Sequence, residues 1–304
     1  MTPRNHTVHG QCGLIVIPAA SEANRITEAV ETAATQDFEG LLAIVIAVNG
    51  PSDGTVERAC AAIERLPRDS KRRWRVVETE HRSKPAALNR GEWEALQALA
   101  EAGAGEPAIR IFLDADVRMS RNAVSAMARA LRLGGARLVQ PSRCSDRQDG
   151  LLGRIFGASL CSLPWVRHDV AVGGVFAVGP SGRLRWPEFP RVAADDEFVF
   201  SRFAPAERSV LEDCWATHPI PGELLPLLRQ QRRWREARRS LKRAGMAGPF
   251  GSDWTMGRRL RVLALRPWLL GSLLVVRIVR VFALLVPRQL DGDGWRVWRG
   301  AVHR

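Results

Sequence analysis

The sequence predicts an α/β protein built on a mostly parallel central sheet flanked by helices. Short apolar runs alternate with segments that have helical periodicity, which is typical of βαβ units. The clearest run, Leu41–Val48, is apolar at every position, as a strand covered on both faces is. The chain has 304 residues, of which 46% are hydrophobic and 25% charged, so it can bury a substantial core.

The first two elements are a strand and a helix. Residues 14–17 are apolar and precede Pro18, which predicts a buried strand that stops there. Ser21 is a good helix N-cap and Glu22 suits a first turn, so we predict a helix over residues 21–36.

The next two elements repeat this order. Leu41–Val48 is the second strand, and it leads into residues 49–54, which are rich in turn formers. A helix over residues 55–66 follows.

Four further elements continue the alternation. We predict a strand at 74–77, a helix at 89–102 and a buried strand at Ile109–Leu113. Ser120 predicts the N-cap of a helix that ends near residue 133.

Polar residues and a proline follow the predicted strands. Ligands of parallel α/β sheets bind beyond the carboxyl ends of the strands. The residues at such ends, which we expect to share one site, are Pro18, Asn49, Asp53, Asp114 and Asp116.

Asp114 and Asp116 are separated by one residue directly after a buried strand. A turn there would aim both carboxylates at one divalent cation, which prefers oxygen ligands and bridges carboxylate to phosphate. The same pattern also occurs as an ordinary turn or helix cap.

Lys84 lies shortly before the helix predicted at 89–102. A cation at a helix N-terminus is unfavourable unless an anion is present too, so this lysine indicates an anionic ligand. The alternative is a solvated surface lysine.

Three adjacent acids, Asp195, Asp196 and Glu197, precede an apolar run. Carboxylates this close raise one another's pKa, which suits a general base. They also suit a helix first turn, and both interpretations hold if Asp195 is the cap and Asp196 faces a cleft.

Gln230, Arg233 and Trp234 share one face of a predicted helix. Arginine binds phosphate through two hydrogen bonds, and an indole can stack on a sugar. The alternative is a basic helix with its tryptophan packed on the core.

Together these motifs resemble glycosyltransferase family 2, the inverting enzymes with the GT-A fold, over about residues 12–239. Ser21, Ser83 and Asp195 stand where the family has Asn, Gly and Glu. The segments that carry the resemblance are Ile17 to Glu22, Asn49 to Thr55, Arg82 to Asn89, Asp114-Ala115-Asp116, Asp195-Asp196 and Gln230-x-x-Arg233-Trp234.

The resemblance implies a nucleotide-diphospho-sugar donor, UDP-linked, and a lipid-linked or saccharide acceptor in polysaccharide biosynthesis. It makes Asp114 and Asp116 ligands of Mg²⁺ or Mn²⁺, and it assigns catalysis to Asp196, as the base, and Asp195. The residues that it implies in nucleotide-sugar binding are Pro18, Glu22, Asn49, Asp53, Lys84, Asp114, Gln230, Arg233 and Trp234.

The chain is strongly basic, with a net charge of +13 and a pI near 11.1. This charge indicates an anionic partner: a phosphate-bearing substrate, an anionic membrane surface or nucleic acid. Because the chain shows no nucleic-acid-binding module, we expect no nucleic-acid partner.

We expect a GT-A domain at 1–239 and a basic amphipathic helical tail at 240–304. Between Pro267 and Pro287 the tail is largely apolar but is interrupted by Arg277 and Arg280. The favourable free energy of inserting the apolar residues into a membrane and the cost of inserting the two arginines nearly cancel. Arg266, Arg277 and Arg288 recur every 11 residues, close to one helix face. Such a helix suits the plane of a membrane surface or docking on the protein itself.

Five cysteines without a C-x-x-C pair favour a reducing compartment, and residues 1–13 lack the apolar core of a signal peptide. We therefore expect a cytoplasmic protein, peripheral at the inner face of the cell membrane. A rival hypothesis is a non-catalytic nucleotide-sugar-binding or scaffold subunit of a polysaccharide assembly complex.

Overall fold

The computed structural model describes residues 11–50, 53–79, 83–135, 137–144, 150–167, 174–250, 252 and 254–286. Its centre is an eight-stranded sheet with the strand order β3-β2-β1-β4-β7-β6-β8-β5. The strands are β1 (Cys12–Ala19), β2 (Leu41–Val48), β3 (Arg72–Glu78), β4 (Ile109–Leu113), β5 (Arg118–Met119), β6 (Leu138–Cys144), β7 (Val175–Val178) and β8 (Arg208–Thr217).

The pairing confirms the predicted α/β class with a sheet of mixed direction. Strands β1, β2, β3 and β4 are parallel, and β1 pairs with β2 along its whole length. Strand β7 is antiparallel to both β4 and β6, whereas β6 and β8 are parallel. The carboxyl ends of β1, β2 and β4 therefore meet at one edge.

Helices flank the sheet and also form the C-terminal part of the described chain. They are α1 (Ile26–Ala34), α2 (Thr55–Glu64), α3 (Lys84–Glu101), α4 (Ala123–Leu131), α5 (Gly150–Ser162), α6 (Pro164–Arg167), α7 (Pro180–Arg183), α8 (Asp195–Phe200), α9 (Leu224–Arg243), α10 (Met256–Leu265) and α11 (Leu269–Phe282).

Alternate residues of β1 face two different hydrophobic cores. Ile15 and Ile17 face the core shared with α1, α2 and α4. Leu14 and Val16 face the core shared with α3, α8 and α9. Because both faces are covered, the strand needs apolar residues at successive positions, as predicted.

A third hydrophobic core joins the C-terminal helices to the rest of the chain. It contains Phe156 of α5, Leu227 of α9 and Val276 of α11. Helix α9 is continuous across residues 239 and 240, where we expect the domain boundary. The tail helix α11 thus packs on the protein by one face. No helix in the described ranges is long and apolar enough to cross a membrane.

The predicted helix start at Ser21 is wrong. Ser21 has a positive φ of 56°, and α1 begins at Ile26 after the N-cap residue Arg25. The backbone N–H of Glu22 donates to Thr55 Oγ1 at 3.1 Å, so a contact with α2 determines the conformation here. A hydrogen bond to a residue distant in sequence has replaced the local cap.

The predicted cap at Ser120 is also wrong, and for a related reason. Its hydroxyl accepts a hydrogen bond from the Trp215 N–H at 3.1 Å, while α4 begins after Asn122. At Pro18 the strand does not stop, because β1 continues to Ala19 with Pro18 opposite Ala47.

Two helix assignments differ in their bounds. Helix α3 begins at Lys84 rather than at 89, because the hydroxyl of Ser83 accepts from the Ala86 N–H at 3.1 Å. In the tail, Arg266 is the C-cap of α10, so it does not share a face of α11 with Arg277. Pro287 and Arg288 lie outside the described residues.

We expect Gly91→Ala to destabilise the protein by about 1–3 kcal/mol, because α3 contacts β1 closely at this glycine. A methyl group at Gly91 would lie 2.5 Å from Val16 Cγ1. Chemical denaturation measures the change. The matched control is Gly257→Ala on α10, where an added methyl group would meet no atom within 4 Å. This substitution should stabilise the protein by up to about 1 kcal/mol. Equal effects of the two substitutions would contradict the close packing.

Candidate active site

A cleft opens at the carboxyl edge of the sheet, between β4, α8 and α9. Acidic and basic side chains from distant parts of the chain share it. Its lining consists of Asp114, Asp116, Gly174, Ala193, Ala194, Asp196, His218, Pro219, Gln230, Arg233, Trp234, Ala237 and Arg238.

Asp114 and Asp116 enter the cleft from the turn after β4. The Asp114 N–H donates to the Gly174 carbonyl at 2.8 Å, and the Val117 N–H donates to the Asp114 carbonyl at 3.0 Å. This tight turn directs both carboxylates to the same side. Burial, followed by the charge of Asp114, raises the pKa of Asp116. The site therefore concentrates two partly buried carboxylates at one place.

Lys84 connects the acids of β4 and α8. Its Nζ lies 2.7 Å from Asp114 Oδ1 and 3.1 Å from Asp195 Oδ1. Burial acts to lower the pKa of Lys84, but the charges of the neighbouring carboxylates outweigh it and raise that pKa well above its ordinary value. The alternative of a solvated surface lysine is therefore wrong.

The two aspartates of α8 have different environments. Asp195 is only 4% exposed and pairs with Lys84, whereas Asp196 lines the cleft. Burial raises the pKa of Asp195 to about 6 and also raises that of Asp196, while Lys84 opposes both shifts. The N-cap of α8 is Ala194, so the prediction that Asp195 caps the helix is wrong.

Glu22 adds a third acidic position beside the turn after β4. Burial, followed by the charge of Asp116, raises the pKa of Glu22 to about 7, whereas Arg25 and Arg233 lower it. The same two arginines act on Asp116 in the same direction. Cations from α9 and from the turn before α1 thus surround these acids.

The remaining strand-end residues lie outside the lining of the cleft. Both carboxylate oxygens of Asp53 accept hydrogen bonds, from Thr55 at 2.5 and 3.1 Å and from the Ala23 N–H at 3.4 Å. Asn49 is buried and its N–H donates to the Ala19 carbonyl at 2.8 Å, while Pro18 is buried within β1. In the described conformation these residues shape the sheet edge next to the cleft.

Helix α9 presents Gln230, Arg233 and Trp234 to the cleft, as their spacing predicts. Trp234 is half-buried, and the guanidinium of the buried Arg143 lies 5.8 Å from its ring centroid. The indole therefore forms part of the cleft wall in addition to packing on the protein.

Sequence patterns did not identify Arg25 or Arg238 as members of the site, whereas the family resemblance places Gly173 and Gly174 near the transferred sugar. Gly174 has a positive φ of 54°, and a methyl group there would lie 2.5 Å from His218 Cε1 and 3.1 Å from Asp114 Oδ2. The histidine ring and the carboxylate can therefore approach one another only across a glycine. The neighbouring Gly173 lies outside the described residues.

The eight-stranded sheet with this acidic and basic cleft at the end of β4 has the GT-A fold. The glycosyl transferase family 2 model matches residues 14–155, which confirms the predicted family over the part of the chain that contains β1 to β6 and the Asp114-Ala115-Asp116 motif. The motifs at 195–234 lie beyond that match.

Solved structures agree on the fold. The mannosyltransferase PcManGT from Pyrobaculum calidifontis, in complex with GDP-Man and Mn²⁺, is 19% identical with a TM-score of 0.53, covering 92% of this chain and 75% of that one. Residues 1–349 of S. aureus TarS are 15% identical with a TM-score of 0.50, covering 96% of this chain and 81% of that one. No curated protein matches the chain.

We expect Glu22→Gln to raise the melting temperature at about pH 8 and to leave it nearly unchanged at about pH 5. The pKa of Glu22 in the folded protein is about 7, above its ordinary 4.5, so its contribution to stability is lost as pH rises through that interval. Glutamine resembles the protonated acid and avoids this loss.

Thermal unfolding at the two pH values measures the effect. The matched control is Glu64→Gln at the exposed end of α2, which should change the melting temperature equally at both. A pH-independent effect of Glu22→Gln would contradict the raised pKa of Glu22 in the folded protein.

Proposed function

We propose that this protein is an inverting glycosyltransferase that moves a sugar from a nucleotide-diphospho-sugar to a hydroxyl of a lipid-linked or saccharide acceptor in glycan biosynthesis. The observation that carries the proposal is the convergence of Asp114, Asp116 and Asp196 with Arg233 and Trp234 in one cleft. The side chains proposed to bind the metal, to act as the base and to bind the diphosphate come together there from three separate segments of the chain.

The donor diphosphate would lie between the turn after β4 and helix α9. Asp114 and Asp116 offer oxygen donors, which suit Mg²⁺ or Mn²⁺. Among the described residues no group of three or more His, Cys, Asp and Glu side chains is arranged to hold a metal, so diphosphate oxygens would complete the coordination. The bound cation would neutralise charge on the leaving nucleotide.

The cations of the cleft fit the same diphosphate. Arg233 lines the cleft, and Arg25 acts on the same carboxylates from the opposite end of the chain. Lys84 pairs with Asp114, so it would hold that carboxylate in place and contribute charge without leaving its two partners. Gln230 and Trp234 would contact the sugar or the nucleotide.

Asp196 is the general base of the proposed reaction. Its carboxylate would take the proton of the acceptor hydroxyl as that oxygen bonds to the anomeric carbon and the bond to the diphosphate breaks. One displacement of this kind inverts the anomeric configuration. Burial raises the pKa of Asp196, which suits a base that must accept a proton near neutral pH. Asp195, held by Lys84, orients the start of α8.

Residues 1–239 form the catalytic domain in this proposal, and residues 240–304 hold the protein at the inner face of the cell membrane. The support is the position of α10 and α11 against α5 and α9, next to the cleft.

Isothermal titration with UDP and GDP, each with and without Mn²⁺, tests the donor site. We expect metal-dependent binding of the donor's nucleotide, UDP on the basis of the family resemblance. Asp116→Ala should weaken this binding by at least about tenfold, because it removes one of two carboxylate ligands. Asp213→Ala is the control, since Asp213 pairs with Arg129 on the exposed surface. Binding of neither nucleotide would favour the non-catalytic scaffold.

Replacing Asp196 by Asn should lower the transfer rate by about a hundredfold to ten-thousandfold, the usual contribution of a general base, while nucleotide affinity stays unchanged. The measurement compares turnover with nucleotide binding for the same preparation. Asp213→Asn is again the control and should keep full turnover. Retained turnover in Asp196→Asn would remove this residue as the base.

A further inference from the structure

Helix α11 is apolar on two faces. One face packs in the third hydrophobic core through Leu269, Val276 and Val279. A surface helix ordinarily presents polar residues on its other side. Here that side is apolar and exposed instead, with Leu270, Leu274, Ile278, Val281 and Leu285 spaced three or four residues apart.

The exposed apolar surface continues beyond this helix. Further large apolar side chains near it are at least 45% exposed, and the largest of them is Trp268 at 70%. Contiguous apolar surface of this kind marks an interaction site in a soluble protein. The additional side chains are Met256, Leu260, Leu265, Trp268, Phe282 and Leu284.

Two arginines of α11 border this surface, and three arginines from other elements interact electrostatically with one of them. Arg280 and Arg277 belong to α11, Arg259 to α10, Arg238 to α9 and Arg143 to β6. Arg277 and Arg280 are both exposed and lie one helical turn apart, and the charges of Arg238, Arg143 and Arg259 also act on Arg280. We call this set the arginine cluster.

The described carboxylates leave most of this positive charge uncompensated. Arg238 pairs with Glu197 at 3.1 Å. Arg259, Arg277 and Arg280 make no ion pair within the described ranges, and the Nε atom of Arg259 is buried without a hydrogen-bond partner. Crowding cations in this way costs free energy unless an anion binds among them.

The arginine cluster adjoins the donor cleft. Arg238 lines the cleft itself, and Arg143 lies over the ring of Trp234, which forms the cleft wall. An anion held by the arginine cluster would therefore lie next to the place where the acceptor must enter.

We propose that the arginine cluster binds the phosphate headgroup of an anionic membrane lipid, while the exposed face of α11 lies in the interfacial layer of the same bilayer. An apolar surface bordered by arginines complements a membrane with anionic headgroups. In placing this headgroup next to the entry of the acceptor, the inference rests on the proposed function. The membrane contact itself does not depend on turnover.

Vesicle flotation with the full chain tests the proposal. We expect the protein to float with vesicles of phosphatidylcholine and phosphatidylglycerol in equal amounts, and much less with phosphatidylcholine alone. Arg277→Gln combined with Arg280→Gln should lower the partition coefficient roughly thirtyfold. Leu274→Gln combined with Ile278→Gln should lower it by at least about tenfold.

Arg65→Gln combined with Arg68→Gln is the matched control, because it removes the same charge at the end of α2. This control should float like the unmodified protein. Binding that resists both α11 pairs, or that falls equally in the control, would overturn the proposal. For any variant that fails to fold, the salt dependence of the unmodified protein serves instead, and salt-insensitive flotation would count against the arginine cluster.

Two further measurements separate the sources of failure. Titration with inorganic phosphate that is sensitive to Arg277→Gln/Arg280→Gln, without vesicle binding, would overturn the lipid in favour of a soluble phosphate ligand. Titration with UDP and Mn²⁺ on the same variants should show unchanged affinity. Unmodified protein that floats with the vesicles but binds neither UDP nor GDP with Mn²⁺ would refute the proposed function and leave the membrane contact standing.

Discussion

The ammonium group of Lys84 between Asp114 and Asp195 is the interaction on which the cleft depends. It joins the first residue of α3, the turn after β4 and the first residue of α8. Ser83 caps α3 and so determines where this ammonium lies. Without a cation at this point, buried carboxylates from two elements would repel one another in a medium that screens poorly. The position of the acids is thus a consequence of charge pairing as well as of strand topology.

The remaining acids of the site follow the same logic. Burial, followed by the charge of Asp116, raises the pKa of Glu22, and burial, followed by the charge of Asp114, raises that of Asp116, while Arg25 and Arg233 oppose both shifts. A divalent cation that enters with a diphosphate brings positive and negative charge together. The cation can reduce the repulsion among the carboxylates, while the diphosphate offsets the repulsion between the cation and the arginines. The cleft is therefore electrostatically suited to a metal-bound diphosphate, and less suited to either component alone.

Much of this arrangement could be predicted from the sequence, because it depends on local signals. Strand β2 is apolar throughout, and the helical spacing of Gln230, Arg233 and Trp234 places them on one face. The errors have a common physical cause. Ser21 and Ser120 have the chemistry of helix caps, but partners distant in sequence determine their conformations. Arg25 acts on the acids of the site only through the course of the turn before α1, which no local pattern encodes.

In the C-terminal tail, the periodicity of apolar residues does not determine which helix face packs on the protein. The sequence left two alternatives, a helix docked on the protein and a helix lying on a membrane, and each predicts one apolar face. Leu269 and Val276 form the docked face of α11, while Leu270 and Leu274 form an exposed one. An apolar stripe in sequence cannot distinguish these cases, because the arginines interrupt both faces at their common border. Packing against α5 and α9 decides which face remains outside, and it also places Arg280 near Arg238 at the cleft. The proximity of α11 to the candidate active site is therefore a property of the tertiary structure alone.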